Sequence, residues 1–272
     1  EDGDVWWDSP WGRGRPGWHV ECSAMSMKYL GETFDIHTGG VDNMFPHHED
    51  EIAQSEAANG CRFVRYWLHC AHLMVDNRKM SKSEGNFYTL RDLTDKGLEG
   101  REIRWVLLGT HYRQSLNFTI ESCRDAKAAL QRIDDVIHRL REAAEQPTVE
   151  KDAVGRRCRD AEEAFRNGLE DDLNISAALA ALFDLVRDVN RRLDAGTVGG
   201  EAAHAVLDRL RAFDTVLGCL DVDAETDVPE NVACLVEERR QARKDRDFGR
   251  ADEIRDALLA EGWVVEDTPS GP

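Results

Sequence analysis

His47 and Glu51 have the types and the spacing of metal ligands. Pro46 suits the first turn of a helix, and a helix that begins there puts His47 and Glu51 one turn apart on the same face. An imidazole and a carboxylate at that spacing can converge on one zinc ion, and Cys22 can add a thiolate from a neighbouring loop. A histidine-rich helix start is also typical of an exposed cap, so the spacing alone leaves both interpretations open.

Two lysines in the segment Lys79-Met80-Ser81-Lys82-Ser83 suit a phosphate-binding loop. Ammonium groups on long, mobile side chains can follow negative charge that moves during a reaction. A lysine pair is most often an ordinary exposed loop, but this pentapeptide is a named signature of class I aminoacyl-tRNA synthetases. The segment therefore favours ATP chemistry.

A third candidate follows an apolar stretch, where Gly39 and Gly40 precede Asp42. Adjacent glycines let the backbone approach a nucleotide closely, and a carboxylate just beyond them can accept a hydrogen bond from a ribose hydroxyl. Because Gly-Gly turns are common, this pattern is weak by itself.

The elements that must position these residues differ along the chain. Up to about residue 113 the apolar and polar residues form short, mixed patterns. From Thr119 onward the apolar residues recur with helical periodicity. Thr119 is a predicted N-cap for one helix, a second runs from about Ser176, and a third ends near Leu217. An acidic break at 221–229 precedes a predicted helical hairpin, 232–247 and 248–260, and a short strand at 263–265. The fold class predicted is α/β followed by all-α.

Composition and charge narrow the function classes. The 272 residues are 41% hydrophobic and contain no apolar run of membrane-spanning length, so we expect no membrane partner. The seven cysteines are odd in number and form no CxxC pair, which favours a reducing, cytoplasmic setting. The formal net charge of −18 argues against a nucleic-acid partner if it is taken alone.

Taken together, the clusters resemble the cysteinyl-tRNA synthetase family of class I synthetases. The matching segments occur in the family's order, and they are GRPGWHVECSAM, FDIHTGGVDNMFPHHEDEIAQSEA, YWLHCAHLMVDNRKMSKSEGNF, DDLNISAALAALF and ARKDRDFGRADEIRDALLAEGWVVEDTPSGP. The resemblance implies the C-terminal half of a Rossmann-like catalytic domain, followed by a helical-bundle anticodon-binding domain. The expected divisions are 1–86 (catalytic, with the zinc and KMSKS motifs), 87–118 (stem contact), 119–220 (DALR-like helical bundle) and 221–272 (anticodon-reading unit).

The resemblance implies a role for each cluster in activating cysteine and transferring it to tRNA. Cys22, His47 and Glu51 would be zinc ligands, and the zinc would bind the thiolate of the substrate cysteine, which serine lacks. Lys79 and Lys82 would stabilise the reacting phosphate of ATP, with Mg²⁺ expected as its companion. The resemblance further assigns Trp18 and His37 to the amino-acid pocket, and Gly39, Gly40, Asp42, Leu73 and Met74 to the ATP site.

The family also implies a tRNA partner, tRNA(Cys), and a monomer. The basic run Arg239, Arg240, Arg243 and Lys244 is the predicted tRNA contact. For any one of these residues, an ordinary salt-bridged amphipathic helix explains the pattern equally well.

Two family features lie upstream of Trp6 in the resemblance, namely the HIGH-type motif and a further zinc-binding cysteine. We therefore expect a chain without the HIGH half, with the fourth zinc ligand missing and with no adenylate formation by itself. Two alternatives remain open: the related cysteine ligase of mycothiol synthesis, which transfers cysteine to an amino sugar, and a non-catalytic zinc- or tRNA-binding module.

Overall fold

The computed structural model describes residues 5–81, 85–224 and 229–260, together with Trp263 and Val265. Its chain divides into two compact units, Glu1–Val222 and Asp223–Pro272.

Short strands are confined to the first 118 residues of the described chain. Their bounds are β1 Trp7–Ser9, β2 Gly12–Gly14, β3 Phe34–Gly40, β4 Val64–Cys70, β5 Leu73–Val75, β6 Arg78–Lys79 and β7 Leu116–Phe118. β1 and β2 form an antiparallel hairpin, β3 and β4 a parallel pair, and β6-β5-β7 a mixed three-stranded sheet.

Helices make up most of the remainder. Their bounds are α1 Trp18–Leu30, α2 Glu49–Asn59, α3 Leu90–Asp95, α4 Gly100–Leu108, α5 Ile120–Ala144, α6 Lys151–Glu170, α7 Ile175–Asp194, α8 Glu201–Leu217, α9 Glu230–Lys244 and α10 Phe248–Ala260. None of the helices within the described ranges is both long and apolar enough to span a bilayer.

The β3-α2-β4 segment carries most of the candidate site. Parallel strands need a crossover connection, and α2 fills it, in register from the pair Phe34–Val64 to the pair Gly40–Cys70. Phe63 is fully buried at the start of β4 and packs edge-on against Phe34. This contact fixes the base of the pair and leaves the carboxyl ends of both strands at one edge.

The start of α2 differs from the prediction. The helix begins at Glu49, and His47 lies before it in a π-helical turn, Met44–His48, rather than in the first helical turn. Phe45 is extended (φ −134°, ψ 132°), which is the conformation preferred by a residue that precedes proline. The chain therefore enters the helix one turn later, yet His47 still faces Glu51.

The predicted helices of the first unit are confirmed. α5 begins after Thr119, whose side-chain oxygen accepts a 3.0 Å hydrogen bond from the backbone N–H of Ser122. The apolar face of α5 is buried, as is that of α8, and the apolar face of α7 is buried except for the partly buried Leu179 and Leu193. α6, which the sequence indicated only as part of a helical region, packs against α7 and α8 and stacks Phe165 on Phe213 with ring centroids 4.3 Å apart.

A cluster of hydrogen bonds joins the loop after α4 to the α6–α7 turn. Asp172, in a left-handed conformation (φ 52°), accepts hydrogen bonds of 2.6 Å from both the Tyr112 hydroxyl and Arg113 Nε. The Arg113 guanidinium, followed by the Tyr112 hydroxyl, lowers the pKa of the Asp172 carboxyl. The backbone carbonyl of Tyr112 also accepts from the N–H of Ala71, just beyond β4. These hydrogen bonds therefore link the sheet region to the helical bundle.

The second unit contains the predicted helical hairpin. α9 and α10 pack around a small core of Val232, Ile254 and Leu258. The predicted strand at 263–265 is not formed at Trp263 or Val265, and Val264 lies outside the described residues. The backbone N–H of Trp263 instead donates to the carbonyl of Leu258, which turns the chain back onto the helix end.

Candidate metal and substrate site

Three segments bring the predicted metal ligands together. Cys22 lies on helix α1 rather than in the predicted loop, His47 in the π-helical turn and Glu51 on α2. Their ligand atoms all lie within 4.8 Å of one another. A thiolate, an imidazole and a carboxylate that converge in this way form a ligand set that zinc accepts.

Glu51 is the centre of the site. Its carboxylate is fully buried, and its two oxygens face different histidines. His37 Nε2 lies 2.8 Å from Oε2 in a hydrogen bond. His47 Nε2 lies 2.9 Å from Oε1, but the two atoms are not aligned for a hydrogen bond, and no described residue forms one with Oε1.

That misalignment is itself informative. A buried carboxylate oxygen without a hydrogen bond is costly unless a cation satisfies it. His47 Nε2 and Glu51 Oε1 therefore lie side by side without a hydrogen bond between them, and a cation bound to both would satisfy the buried oxygen. The residues present therefore fit a zinc ion, with His37 holding the second carboxylate oxygen in place.

The state of Cys22 agrees with this arrangement. Burial, together with the nearby Glu51 carboxylate, raises the pKa of the Cys22 thiol. The pocket is therefore unfavourable to an uncompensated thiolate, and a cation between the thiolate and the carboxylate would offset both effects.

Sequence reasoning missed three neighbours of the site: His48, Trp67 and His69. His48 is buried, and its Nδ1 lies 2.8 Å from His69 Nε2. Trp67 stacks on His37 at 4.4 Å between ring centroids, with the planes 20° apart. Alternation along β4 was the available signal, because Trp67 and His69 are two residues apart and so share a face of the strand.

His48 is neutral near pH 7 in this environment. Burial is the main cause that lowers the pKa of His48 to about 4, and the imidazoles of His37, His69 and His47 add to the effect. A neutral ring can both donate and accept a hydrogen bond, as the contact with His69 requires.

Gly39 is required by the close approach of His48. A Cβ atom at position 39 would lie 2.5 Å from the His48 ring. The glycine therefore lets the imidazole lie directly on the β3 backbone, which gives the first glycine of the Gly-Gly pair a structural role beside the predicted nucleotide contact.

The predicted ATP residues lie on two sheets. Gly39 and Gly40 end β3, and Asp42 follows in a 3₁₀ turn. Leu73 and Met74 lie in β5, which pairs with β6 and its residue Lys79. Lys82 lies outside the described residues.

Asn86 is a further residue that the sequence did not single out. Its side-chain oxygen accepts a 2.9 Å hydrogen bond from the Ser81 backbone N–H, and its amide donates to the Lys79 carbonyl at 3.2 Å. These bonds tie the Asn86 side chain to the backbone on both sides of Met80.

The remaining predicted residues differ in exposure. Trp18 begins α1 and is 69% exposed. On α9, Arg240, Arg243 and Lys244 are exposed, whereas Arg239 is only 4% exposed. Three of the four basic side chains therefore reach the surface, whereas Arg239 is buried in the hairpin.

Comparison with protein families matches the chain in three segments. Residues 1–128 match the class I (C) tRNA synthetase catalytic domain, residues 164–221 the DALR domain, and residues 225–271 the cysteinyl-tRNA ligase anticodon-binding domain. Curated relatives match throughout the chain: the cysteine–tRNA ligase of Protochlamydia amoebophila is 49% identical over 272 residues. The chain belongs to the cysteinyl-tRNA synthetase family.

Other members of the cysteinyl-tRNA synthetase family are similarly close. The cysteine–tRNA ligase of Chlamydia abortus is 50% identical over 274 residues and that of Brachyspira hyodysenteriae is 49% identical over 278 residues, with 100% of this chain covered in each. The chain spans 56%, 57% and 58% of the three relatives' lengths, respectively.

A solved structure shares the fold. The LeuRS of Agrobacterium radiobacter K84, solved in a ternary complex with tRNA and LeuAMS, matches with a TM-score of 0.57 at 15% identity. The match covers 79% of this chain and 32% of that one. The predicted fold class is therefore confirmed: class I catalytic architecture followed by a helical domain.

Proposed function

We propose that this chain contributes to a cysteine–tRNA ligase, in which ATP activates cysteine and the cysteinyl group passes to tRNA(Cys). The observation that carries the proposal is the convergence of Cys22, His47 and Glu51 within 4.8 Å, in a chain about half identical to cysteine–tRNA ligases throughout its length.

Zinc is the proposed basis of amino-acid selection. Cys22, His47 and Glu51 would hold the ion, which supplies a Lewis acid with high affinity for a thiolate. Cysteine and serine differ in one atom, so the walls of a pocket separate them poorly, whereas loss of a sulfur ligand separates them strongly. His37 and Trp18 would line the pocket, with His37 held by Glu51 and stacked on Trp67.

We propose that ATP binds between the end of the β3-β4 pair and the β6-β5-β7 sheet. The backbone of Gly39 and Gly40 and the Asp42 carboxylate would contact the ribose, and Leu73 and Met74 the adenine. Lys79 and Lys82 would neutralise charge at the α-phosphate of ATP as the cysteine carboxylate attacks it and pyrophosphate leaves, and Mg²⁺ would supply further positive charge there. Asn86 supports this role because it restrains the Lys79 backbone.

tRNA is the proposed partner of the second unit. Arg240, Arg243 and Lys244 on α9 are exposed and can contact phosphates, and the match to an anticodon-binding domain in this part of the chain supports the assignment. The same match argues against the mycothiol-pathway ligase, because a sugar acceptor needs no anticodon-binding unit. We propose a cytoplasmic location and a monomeric state on the resemblance alone.

The proposed selection of cysteine predicts a metal-dependent binding preference. We expect the zinc-loaded chain to bind L-cysteine at least roughly 100-fold more tightly than L-serine, because only cysteine supplies a thiolate. Equilibrium dialysis with radiolabelled amino acids measures both affinities, and metal-stripped chain is the control. Equal affinity for the two amino acids with zinc bound would contradict the proposed function.

A further inference from the structure

His37 holds one oxygen of the Glu51 carboxylate and leaves the other exposed to the metal position. His37 Nε2 lies 2.8 Å from Glu51 Oε2, and the imidazole must donate this hydrogen bond because an ionised carboxylate can only accept. Glu51 Oε1 lies 2.9 Å from His47 Nε2 and forms no hydrogen bond with any described residue. Glu51 therefore offers a single oxygen to a cation.

The His37 ring is surrounded by other rings, and Trp67 is the one that lies face-on. The His37 side chain is only 18% exposed. Trp67 is its direct partner in the β3-β4 register and stacks on it at 4.4 Å between ring centroids, with the planes 20° apart. Phe34 and His48 lie at centroid distances of 5.8 Å and 4.8 Å, but their rings are tilted by 34° and 55°. Among these three neighbours, Trp67 is therefore the one that sets the plane of the His37 ring.

The plane of the ring decides where its N–H points. Rotation of a histidine ring about χ2 is broad and is not confined to narrow staggered wells, so packing has to select the angle. The hydrogen bond from His37 to Glu51 weakens steeply once its donor is misaligned. Without the stacked Trp67, the His37 N–H would not be held on Glu51 Oε2.

His37 and His48 support the metal site rather than forming a second one. Their ligand atoms and those of Glu51 also lie within 4.8 Å of one another. However, His37 Nε2 is engaged with Glu51, and His48 Nδ1 lies 2.8 Å from His69 Nε2 in a hydrogen bond. The other nitrogen of His48 faces the β3 backbone, where a Cβ atom at Gly39 would lie 3.0 Å from it. The nitrogens of this group are therefore already used.

We propose that Trp67 is a positioning residue, which by stacking on His37 keeps Glu51 bound to zinc through one oxygen and so reserves a coordination position for the thiolate of the substrate cysteine. A zinc site that binds substrate keeps one position open. A carboxylate bound through both oxygens would compete for that position. The inference rests on the proposed function, because it assigns a further residue to the same selection of cysteine.

The cobalt-loaded chain tests this role directly. Tetrahedral Co²⁺ absorbs visible light more strongly than Co²⁺ with additional ligands, and the increase in thiolate-to-cobalt charge-transfer absorption on addition of L-cysteine gives the affinity for cysteine. We expect His37→Ala to weaken the visible absorption and to lower the cysteine affinity by roughly 10-fold or more. Trp67→Leu should act in the same direction, with the affinity roughly 3- to 10-fold lower. Trp67→Phe keeps a ring and should retain most of the parental affinity.

A double variant and an exposed control separate positioning from support of the fold. Adding Trp67→Leu to His37→Ala should cause no further loss of cysteine affinity, because the stack then has no ring to position. Tyr66→Leu removes an aromatic side chain from the neighbouring position of β4, where it is 67% exposed, and should match the parent chain. Urea unfolding checks every variant. If Trp67→Leu does not fold, Trp67→Met takes its place.

Failure of this inference is distinguishable from failure of the proposed function. If the parent chain prefers cysteine to serine but Trp67→Leu binds cysteine as tightly as the parent, the role of Trp67 is wrong and the proposed function stands. A further loss in the double variant, or unchanged visible absorption in His37→Ala, would also overturn the inference. If the parent chain shows no preference for cysteine, selection by zinc is wrong, and the role of Trp67 is wrong with it.

Discussion

Replacing Cys22 by serine should lower the zinc affinity of the chain by at least roughly 100-fold. Loss of a residue that merely supports a metal ligand lowers metal affinity by about 10- to 100-fold, so loss of the ligand itself should lower the affinity at least as much. Serine keeps the shape of the side chain but removes the thiolate. Zinc content after dialysis against a weak chelator measures the loss, and binding of Co²⁺ gives a second readout, because only a cysteine ligand produces the thiolate-to-cobalt charge-transfer absorption.

Cys61→Ser is the matched control for this substitution. Cys61 is similarly half-buried, but it contacts Thr33 and does not belong to the cluster of Cys22, His47 and Glu51. We expect it to leave both zinc content and the cobalt absorption unchanged. If Cys22→Ser retains parental zinc affinity, or if Cys61→Ser loses it equally, the assignment of Cys22 as a ligand is wrong.

The largest effect on stability is expected from Phe213→Ala. Phe213 is 2% exposed and stacks on Phe165, so the substitution both removes a buried ring and leaves a cavity between α6 and α8. We expect the free energy of unfolding to fall by about 3–5 kcal/mol. Urea unfolding followed by circular dichroism measures the change.

Val216→Ala provides the comparison on the same helix. Val216 is 44% exposed, so little apolar area is lost, and we expect a change of about 0.5 kcal/mol or less. Equal effects of the two substitutions would mean that Phe213 does not support the bundle as its burial indicates.

The helical bundle was largely predictable because residues close together in the sequence specify where its helices begin and which faces are apolar. The apolar stripe of α5 repeats with helical periodicity, and Thr119 has the side chain that caps a helix. The hairpin of α9 and α10 was also predictable, but its details were not. Arg239 belongs to a basic run that is typical of an exposed face, yet it is buried, because the register of α9 against α10 depends on packing between the two helices.

From the residues alone, the candidate site was predictable only where it follows from close spacing along the chain. His47 and Glu51 were identified together because they are four residues apart. The contact of Glu51 with His37 joins α2 to β3, and the contact of His48 with His69 joins the π-helical turn to β4. Such contacts depend on the parallel register of β3 and β4, which periodicity alone does not specify.

Net charge was the least informative sequence feature. A value of −18 argued against a nucleic-acid partner, but averaging over the chain hides local groups of basic residues such as Arg240, Arg243 and Lys244 on α9. Phosphate binding depends on the field at the contact and not on the total.

The central claim is that Cys22, His47 and Glu51 hold a zinc ion that selects cysteine by its thiolate. X-ray absorption at the zinc edge counts the sulfur atoms bound to the metal in the zinc-loaded chain. The account predicts that added L-cysteine raises this count by one, whereas L-serine leaves it unchanged. A sulfur count that does not rise with cysteine, in a chain that has bound zinc, would contradict it.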